Sequence, residues 1–203
     1  MTELIFATNN QHKADEIQAV IGDKVWVITL KQAGINIDIA EPYHTLEANA
    51  SEKSKTIFLL TGRSCFGEDT GLEVEALNGE PGVKSARYAG EEKDFNDNIA
   101  KLLYNLGNST NRKARFRTVI SLKMLEGDFL FDGICEGRIN YNPLGTNGFG
   151  YDSIFIPLES NKTFAEMTME EKAFFSHRRK ASDKLVAFLH NMVIANNQAY
   201  IKK

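Results

Sequence analysis

The stretch Gly67-Glu68-Asp69-Thr70-Gly71-Leu72 sets two adjacent carboxylates between an apolar, β-leaning run, Ser64-Cys65-Phe66, and a Thr-Gly pair. That order predicts acids at the end of a strand, where the chain leaves the sheet and can face a ligand. Carboxylates so placed suit Mg²⁺, a hard cation that takes one or two of them together with water and substrate phosphate oxygens. They equally suit a solvated strand end, with Asp69 bonding the backbone of the turn. Upstream, Thr8-Asn9-Asn10-Gln11-His12-Lys13 lies where a first strand should meet a first helix. Helix N-terminal N–H groups carry partial positive charge and Lys13 adds a full one, so the segment can hold phosphate. The plainer alternative is an Asn cap beside an exposed lysine.

Downstream, the loop from Gly145 to Asp152 holds three glycines, two aromatics and a carboxylate in eight residues. Glycines let backbone approach a planar ligand, Phe149 offers a stacking face, and Asp152 can accept from ring nitrogens or hold a ribose. Ser176-His177-Arg178 brings a hydroxyl, an imidazole and a guanidinium to a helix start, where basic residues oppose the dipole and a ligand would explain them. Glu41 and Glu47 flank a turn into another helix, with Asn49 and Lys53 one face further on; acids there can also serve as dipole complements. No Walker lysine loop, Gly-x-Ser-x-Gly elbow, Cys-x-x-Cys or His-x-x-x-His pair occurs.

The elements that must position these groups follow from apolar periodicity. Leu4–Thr8 reads as a buried strand, Lys13–Ile21 as a helix and Val25–Leu30 as a second strand, a βαβ unit that predicts a parallel or mixed sheet. A helix is expected from Thr45 to Gly62, and Leu72–Val74 as a strand after the acids. Asp94 caps a helix with Ile99, Leu102 and Leu106 inward, stopped by Gly107. Phe116–Leu125 and Phe129–Ile139 form a hairpin, and Tyr151–Ile156 is expected as the last strand. Thr168 and Glu171 make a capping box, and a final helix runs from about Arg178 to about Ala195.

At 203 residues with 42% hydrophobic and 25% charged, one soluble globular domain over 1–203 is expected. A net charge of −3 argues against a nucleic-acid partner, and no signal peptide or membrane-spanning run is visible. Cys65 and Cys135 suit reduced, buried thiols, so a cytoplasmic protein is expected.

Together these stretches resemble one family, the inosine triphosphate pyrophosphatases, also called Ham1-like or XTP/dITP pyrophosphatases. The resemblance covers Leu4 to about Leu189. It rests on Thr8–Lys13, Glu47-Ala48-Asn49-Ala50, Glu68–Leu72, Pro81-Gly82-Val83-Lys84-Ser85-Ala86-Arg87-Tyr88, Gly145–Asp152, and Glu171-Lys172 with Ser176-His177-Arg178, in the family's order and spacing. It implies an α/β fold with a mixed, strongly bent central sheet flanked by helices, two lobes and an active site in the cleft between them. It also implies a Mg²⁺-dependent hydrolase converting ITP, dITP or XTP to the monophosphate and pyrophosphate, commonly as a homodimer. Thr8, Asn9, Asn10, Gln11, His12 and Lys13 would bind the triphosphate, with Lys13 also catalytic. Asp69 would be the acid–base carboxylate and a metal ligand, with Glu41 as a second, and Thr70 would touch substrate. Phe149, Gly150, Tyr151, Asp152, Lys172, His177 and Arg178 would hold base and sugar. Glu68 stands where many bacterial relatives carry Asp, which leaves open whether it or Asp69 takes the metal. Asn147 and Ser153 replace a frequent glycine and proline, and Pro42-Tyr43-His44 departs from the usual small or acidic residues. The alternatives are a house-cleaning pyrophosphatase for other altered nucleotides, like the Maf-like relatives, and a nucleotide sensor without turnover.

Overall fold

The computed structural model describes residues 2–22 and 25–201. Strand β1 (Thr2–Phe6), helix α1 (Gln11–Ile21) and strand β2 (Val25–Thr29) form the expected βαβ unit, with β1 and β2 parallel from Thr2↔Val25 to Phe6↔Thr29. Helix α2 (Leu46–Thr61) then crosses to β3 (Cys65–Val74), which lies parallel to the other side of β1. The short β4 (Pro81–Gly82), helix α3 (Phe95–Leu106), the hairpin β5 (Lys113–Met124) and β6 (Gly127–Ile139), and β7 (Phe155–Pro157) follow. Helices α4 (Met169–Phe175) and α5 (His177–Ile201) complete the chain. The strands form one mixed sheet in the order β2-β1-β3-β5-β6-β7, with β4 against β3, curled into a half-barrel and flanked by helices.

Capping explains most element ends. Asn10, Thr45 and Asp94 each accept N–H bonds from the first turns of α1, α2 and α3, and Thr168 with Glu171 closes the expected box on α4. Cys65 and Cys135 are free and buried, as expected. The last strand is shorter and later than Tyr151–Ile156: residues 151–154 form turns, and pairing with β6 begins at Phe155↔Ile139. The apolar run is real, but Tyr151 and Ile154 are buried as turn residues, a distinction that periodicity cannot make.

The larger correction concerns Glu68 and Asp69. They do not end a strand. β3 continues through them to Val74 and pairs with β5 at every step from Cys65↔Lys123 to Val74↔Ala114. On its other edge β3 meets β1 only at Cys65 and Phe66, and β4 only at Leu72 and Glu73. Residues 67–71 therefore have a strand partner on one side only. This open edge lies where β1 gives way to the loop into α1, so the chain that leaves the sheet is β1, not β3.

The open edge also separates two apolar cores. Phe66, Ile120 and Leu122 belong to one, with Leu4, Phe6, Ile17 and Leu185. Leu72, Val74 and Phe116 belong to the other, with Leu102, Tyr151, Phe155 and Phe164. Between them β3 carries Glu68, Asp69 and Thr70, all but Thr70 buried.

Gly67 lets α2 sit close enough to reach Asp69. A Cβ there would lie 2.3 Å from the Ala50 carbonyl oxygen and 2.7 Å from the Lys53 Cβ. Gly67→Ala must push α2 outward, and overpacking of this kind costs about 1–3 kcal/mol. Chemical denaturation should show a loss of that size, with reduced turnover in the protein that remains folded. A midpoint equal to wild type would contradict the close packing.

Candidate active site

Alternation along β3 sends the two acids to opposite faces of the sheet. Glu68 shares a face with Phe66 and Leu72 and meets α1 and α5. Asp69 faces α2. Both are nearly out of water, at 2% and 6% exposure, so each must be paired.

Glu68 is paired by cations and a hydroxyl. The Arg178 Nε donates to Oε1 at 3.2 Å and Oε2 at 3.1 Å, and Nη2 to Oε1 at 3.0 Å. The Lys13 Nζ lies 3.3 Å from Oε1, and the Thr70 hydroxyl also donates to Oε1. Burial alone would raise the Glu68 pKa; Arg178 and Lys13 outweigh it and hold the carboxyl far below its ordinary range. Asp69 is held more lightly. Asn49 Nδ2 donates to Oδ2 at 3.2 Å, the Thr70 N–H to Oδ1 at 3.1 Å, and the Lys53 Nζ lies 3.4 Å from Oδ1. Burial pushes its pKa above the ordinary value, and Lys53 and Lys13 offset only part of that. One carboxylate is held far toward its anion, and its neighbour lies above its ordinary pKa.

Glu41 joins Asp69 from a segment without regular structure, residues 35–43. Its Oε1 meets the Lys53 ammonium and its Oε2 accepts from the Arg87 Nη1 at 2.8 Å. Burial raises its pKa, but Lys53 and Arg87 more than reverse this, to about 2. Asp69 and Glu41 bring hard carboxylate oxygens together from β3 and from the loop before α2, a set suited to Mg²⁺ with water and phosphate as further ligands. Among the described residues no three His, Cys, Asp or Glu side chains group as an all-protein cage.

The phosphate-facing segment is the N-terminus of α1. Asn10 caps it, accepting from the Lys13 N–H at 3.2 Å, and no acid stands in the first turn to offset the dipole. Thr8 accepts from the Asn10 N–H at 3.1 Å, Asn9 from the Lys31 N–H at 3.1 Å, and Gln11 donates to Asp15 at 2.7 Å. The Asn9 and Gln11 side chains thus shape the loop and helix, while Lys13 projects to the open edge. Burial lowers its pKa, with Glu68 offsetting only in part.

On the Glu68 side a cavity of about 120 Å³ opens among Thr70, Phe149, Asp152, Lys172, His177 and Arg178. Phe149 stacks on His12 at 5.4 Å, with the Lys172 ammonium 5.4 Å and the Arg178 guanidinium 5.6 Å from its ring centre. Lys172 donates to Asp152 at 2.8 Å and to Glu16 at 3.0 Å, and Arg178 also pairs with Glu16. Asp152 further accepts from the Phe149 N–H at 3.0 Å. The loop glycines serve the loop itself: a Cβ at Gly148 would fall 2.1 Å from the Asp152 carboxylate, and one at Gly145 2.3 Å from the Ala165 carbonyl. Gly145 and Gly148 thus make room for protein, whereas Gly150, with open space where a Cβ would stand, lines the cavity.

Lys53, Arg87 and Glu16 join the site without a role expected from the sequence. Lys53 had a signal: it falls on the buried stripe Leu46, Asn49, Ala50, Ile57 of α2, where a lysine needs an anion. Glu16 had none, its partners lying 156 and 162 residues away, and Arg87 had only its place in the Pro81–Tyr88 segment, its partner Glu41 lying 46 residues away.

The Ham1 family model matches residues 4–188. The chain belongs to the Ham1 family. It is 47% identical over 189 residues to the dITP/XTP pyrophosphatase of Flavobacterium psychrophilum, covering 93% of this chain and 100% of the relative. The corresponding Staphylococcus aureus protein is 42% identical over 93% of this chain and 97% of its own. The solved Staphylococcus aureus Ham1 protein superposes with a TM-score of 0.86 at 42% identity, covering 94% of this chain and 100% of that one. A Ham1 protein from Coxiella burnetii gives the same TM-score at 34% identity, with the same coverage. The α/β fold expected from the resemblance is therefore that of solved Ham1 proteins. Among the described residues no helix is long and apolar enough to cross a membrane.

His177 offers a pH test of this Ham1 cleft. It is buried, stacks on Phe116 at 4.7 Å, and its Nδ1 has no hydrogen-bond partner among the described residues. Burial, then Arg178 and Lys172, hold its pKa well below 6.5, so the folded protein keeps it neutral. The unfolded chain takes up a proton as pH falls through about 6.5 and the folded one does not, so stability is lost with falling pH. The contribution is about 1.4 kcal/mol at pH 5.5. Urea midpoints should fall between about pH 7.5 and 5.5, and His177→Gln should remove that part of the fall. An identical pH slope in the variant would contradict a neutral buried imidazole.

Proposed function

We propose that this chain hydrolyses non-standard purine nucleoside triphosphates, ITP, dITP and XTP, to the monophosphate and pyrophosphate, as a Mg²⁺-dependent enzyme. The observation that carries the reading is the convergence on the open edge of β3. An oxygen-donor set (Asp69, Glu41), a positive helix end with Lys13, and an aromatic, cation-lined cavity meet around five residues of one strand. The chain's relatives from two Flavobacterium species are dITP/XTP pyrophosphatases, which supports the same substrate class.

Asp69 is the general base. Its carboxylate, on the open edge, takes a proton from a water that attacks the α-phosphorus; in the metal-free protein burial raises its pKa above the ordinary value. Lys13 neutralises charge growing on the departing pyrophosphate. Asp69 and Glu41 would hold the Mg²⁺, which when bound supplies Lewis-acid stabilisation of phosphoryl oxygens. Glu68 is not a metal ligand in this reading, because Arg178, Lys13 and Thr70 already use its carboxylate. Phe149 supplies the base shelf. Lys172 has three donors and two carboxylate partners, which leaves one for the 6-keto oxygen of hypoxanthine or xanthine. The adenine 6-amino group would oppose that donor. GTP shares the keto group, and a further donor near position 2, supplied by a backbone N–H of residues 148–152, would refuse its amino group. The protein works in the cytoplasm as a homodimer.

Asp69→Asn should abolish turnover in a folded protein, because an amide neither accepts the proton nor matches a carboxylate at Mg²⁺. Circular dichroism with pyrophosphate release checks both halves, and wild-type-like turnover would remove Asp69 from the chemistry. Lys13→Ala should cost about 1.5–3 kcal/mol of transition-state binding, with kcat falling more than KM rises. Pyrophosphate release from ITP, dITP, XTP, GTP and ATP at equal, sub-saturating concentration decides the selectivity. Comparable kcat/KM for ATP or GTP and ITP would defeat that selectivity and leave the hydrolysis standing.

A further inference from the structure

The Lys53 ammonium lies in the middle of the oxygen set assigned to the metal. It meets Glu41 Oε1, donates to the Glu68 carbonyl at 3.0 Å, and lies 3.4 Å from Asp69 Oδ1. Three N–H groups thus face three oxygens from two separate segments: Glu41 in the loop before α2, and the successive residues Glu68 and Asp69 of β3. The side chain is 9% exposed and rises from the buried face of α2, so water cannot readily take over these bonds. Without a cation between them, Glu41 and Asp69 would be two anions facing each other across a poorly solvated gap.

A divalent cation drawn to Glu41 and Asp69 needs the same oxygens, and a Mg²⁺ and an ammonium repel each other at such range. We propose that Lys53 is the resident cation of this site: it holds Glu41 to Asp69 in the metal-free protein and yields its place when the divalent cation binds. Two contacts make the exchange feasible. The Glu68 carbonyl remains as a partner for the displaced ammonium, so Lys53 is not stranded. Arg87, on the opposite side of Glu41, keeps Oε2 and holds the loop while Oε1 changes partner. This inference rests on the metal assignment above and adds a competitor to it.

Competition fixes the sign of the test. Removing the positive charge should tighten metal binding, whereas a Lys53 that merely braces the site should weaken it when lost. Mn²⁺ binding to the nucleotide-free protein is measured by calorimetry or electron paramagnetic resonance, without turnover. Lys53→Met keeps the apolar stem and should bind Mn²⁺ about tenfold more tightly or better, while Lys53→Arg, which keeps the charge, should show no gain. Metal-free Lys53→Met should also unfold at a lower temperature than wild type and recover more on adding Mn²⁺. If Lys53→Met does not fold, Lys53→Gln replaces it in the same titration. Mn²⁺ bound no more tightly by the neutral variant than by wild type overturns the inference. The Asp69→Asn titration separates the two readings. Wild-type binding lost in Asp69→Asn, with no gain in the Lys53 variants, sinks only the resident cation. Wild-type binding undiminished by Asp69→Asn sinks the metal assignment and the resident cation together.

Discussion

Two neighbouring carboxylates, both ionisable and both out of water, sit in the middle of an interior strand, and each must be paired. A strand sends neighbours to opposite faces, so one set of partners cannot serve both. Glu68 draws Arg178 from α5 and Lys13 from α1; Asp69 draws Lys53 and Asn49 from α2. The helices on the two faces are thereby tied to adjacent residues of one strand. Breaking a buried pair by removing one partner typically costs about 3–5 kcal/mol, so these ties set the geometry of the cleft as well as its charge.

The two faces differ in how completely the charge is met. On the Glu68 face an unbroken chain runs Asp152–Lys172–Glu16–Arg178–Glu68–Lys13, alternating in sign at every step. It leads from the cavity beside Phe149 to the N-terminus of α1, and therefore from the proposed base site to the proposed phosphate site. On the Asp69 face the carboxylate has weaker partners and a raised pKa, the property a general base needs. In the proposed reading, proton transfer and positioning fall to different residues, adjacent in sequence, on a strand whose β-ladder with β5 keeps both in register.

Much of this was legible beforehand. The βαβ start, the capped helices and the β5–β6 hairpin follow from periodicity and capping residues that act over a few positions. The segments that the fold gathers at the open edge were singled out by residue type and order. The misreading of Glu68-Asp69 as a strand end has a clear origin: charges and Thr-Gly are poor strand signals, and the strand survives because β5 pairs with it throughout and Arg178 and Lys53 arrive from elsewhere. The open edge, which is what makes the acids reachable, depends on where β1 and β4 stop and has no local signature. The pairings of Glu16 and Arg87 were invisible for the same reason. Of the glycines in the 145–150 loop, Gly145 and Gly148 serve the packing of the loop, which sequence does not show because it does not reveal that Gly148 faces Asp152; Gly150 alone of the three lines the cavity.

The division of labour between the two faces of β3 can be tested on Glu68 alone. Glu68→Gln keeps the shape of the side chain but releases Arg178 and Lys13 from their shared anion. The measurement is steady-state hydrolysis of ITP and ATP by folded Glu68→Gln across a Mg²⁺ titration. The account predicts that the Mg²⁺ concentration giving half-maximal rate stays near the wild-type value, while preference for ITP over ATP falls by roughly tenfold or more. A steep rise in the Mg²⁺ requirement with the preference intact would contradict it, and would make Glu68 the metal carboxylate in place of Asp69.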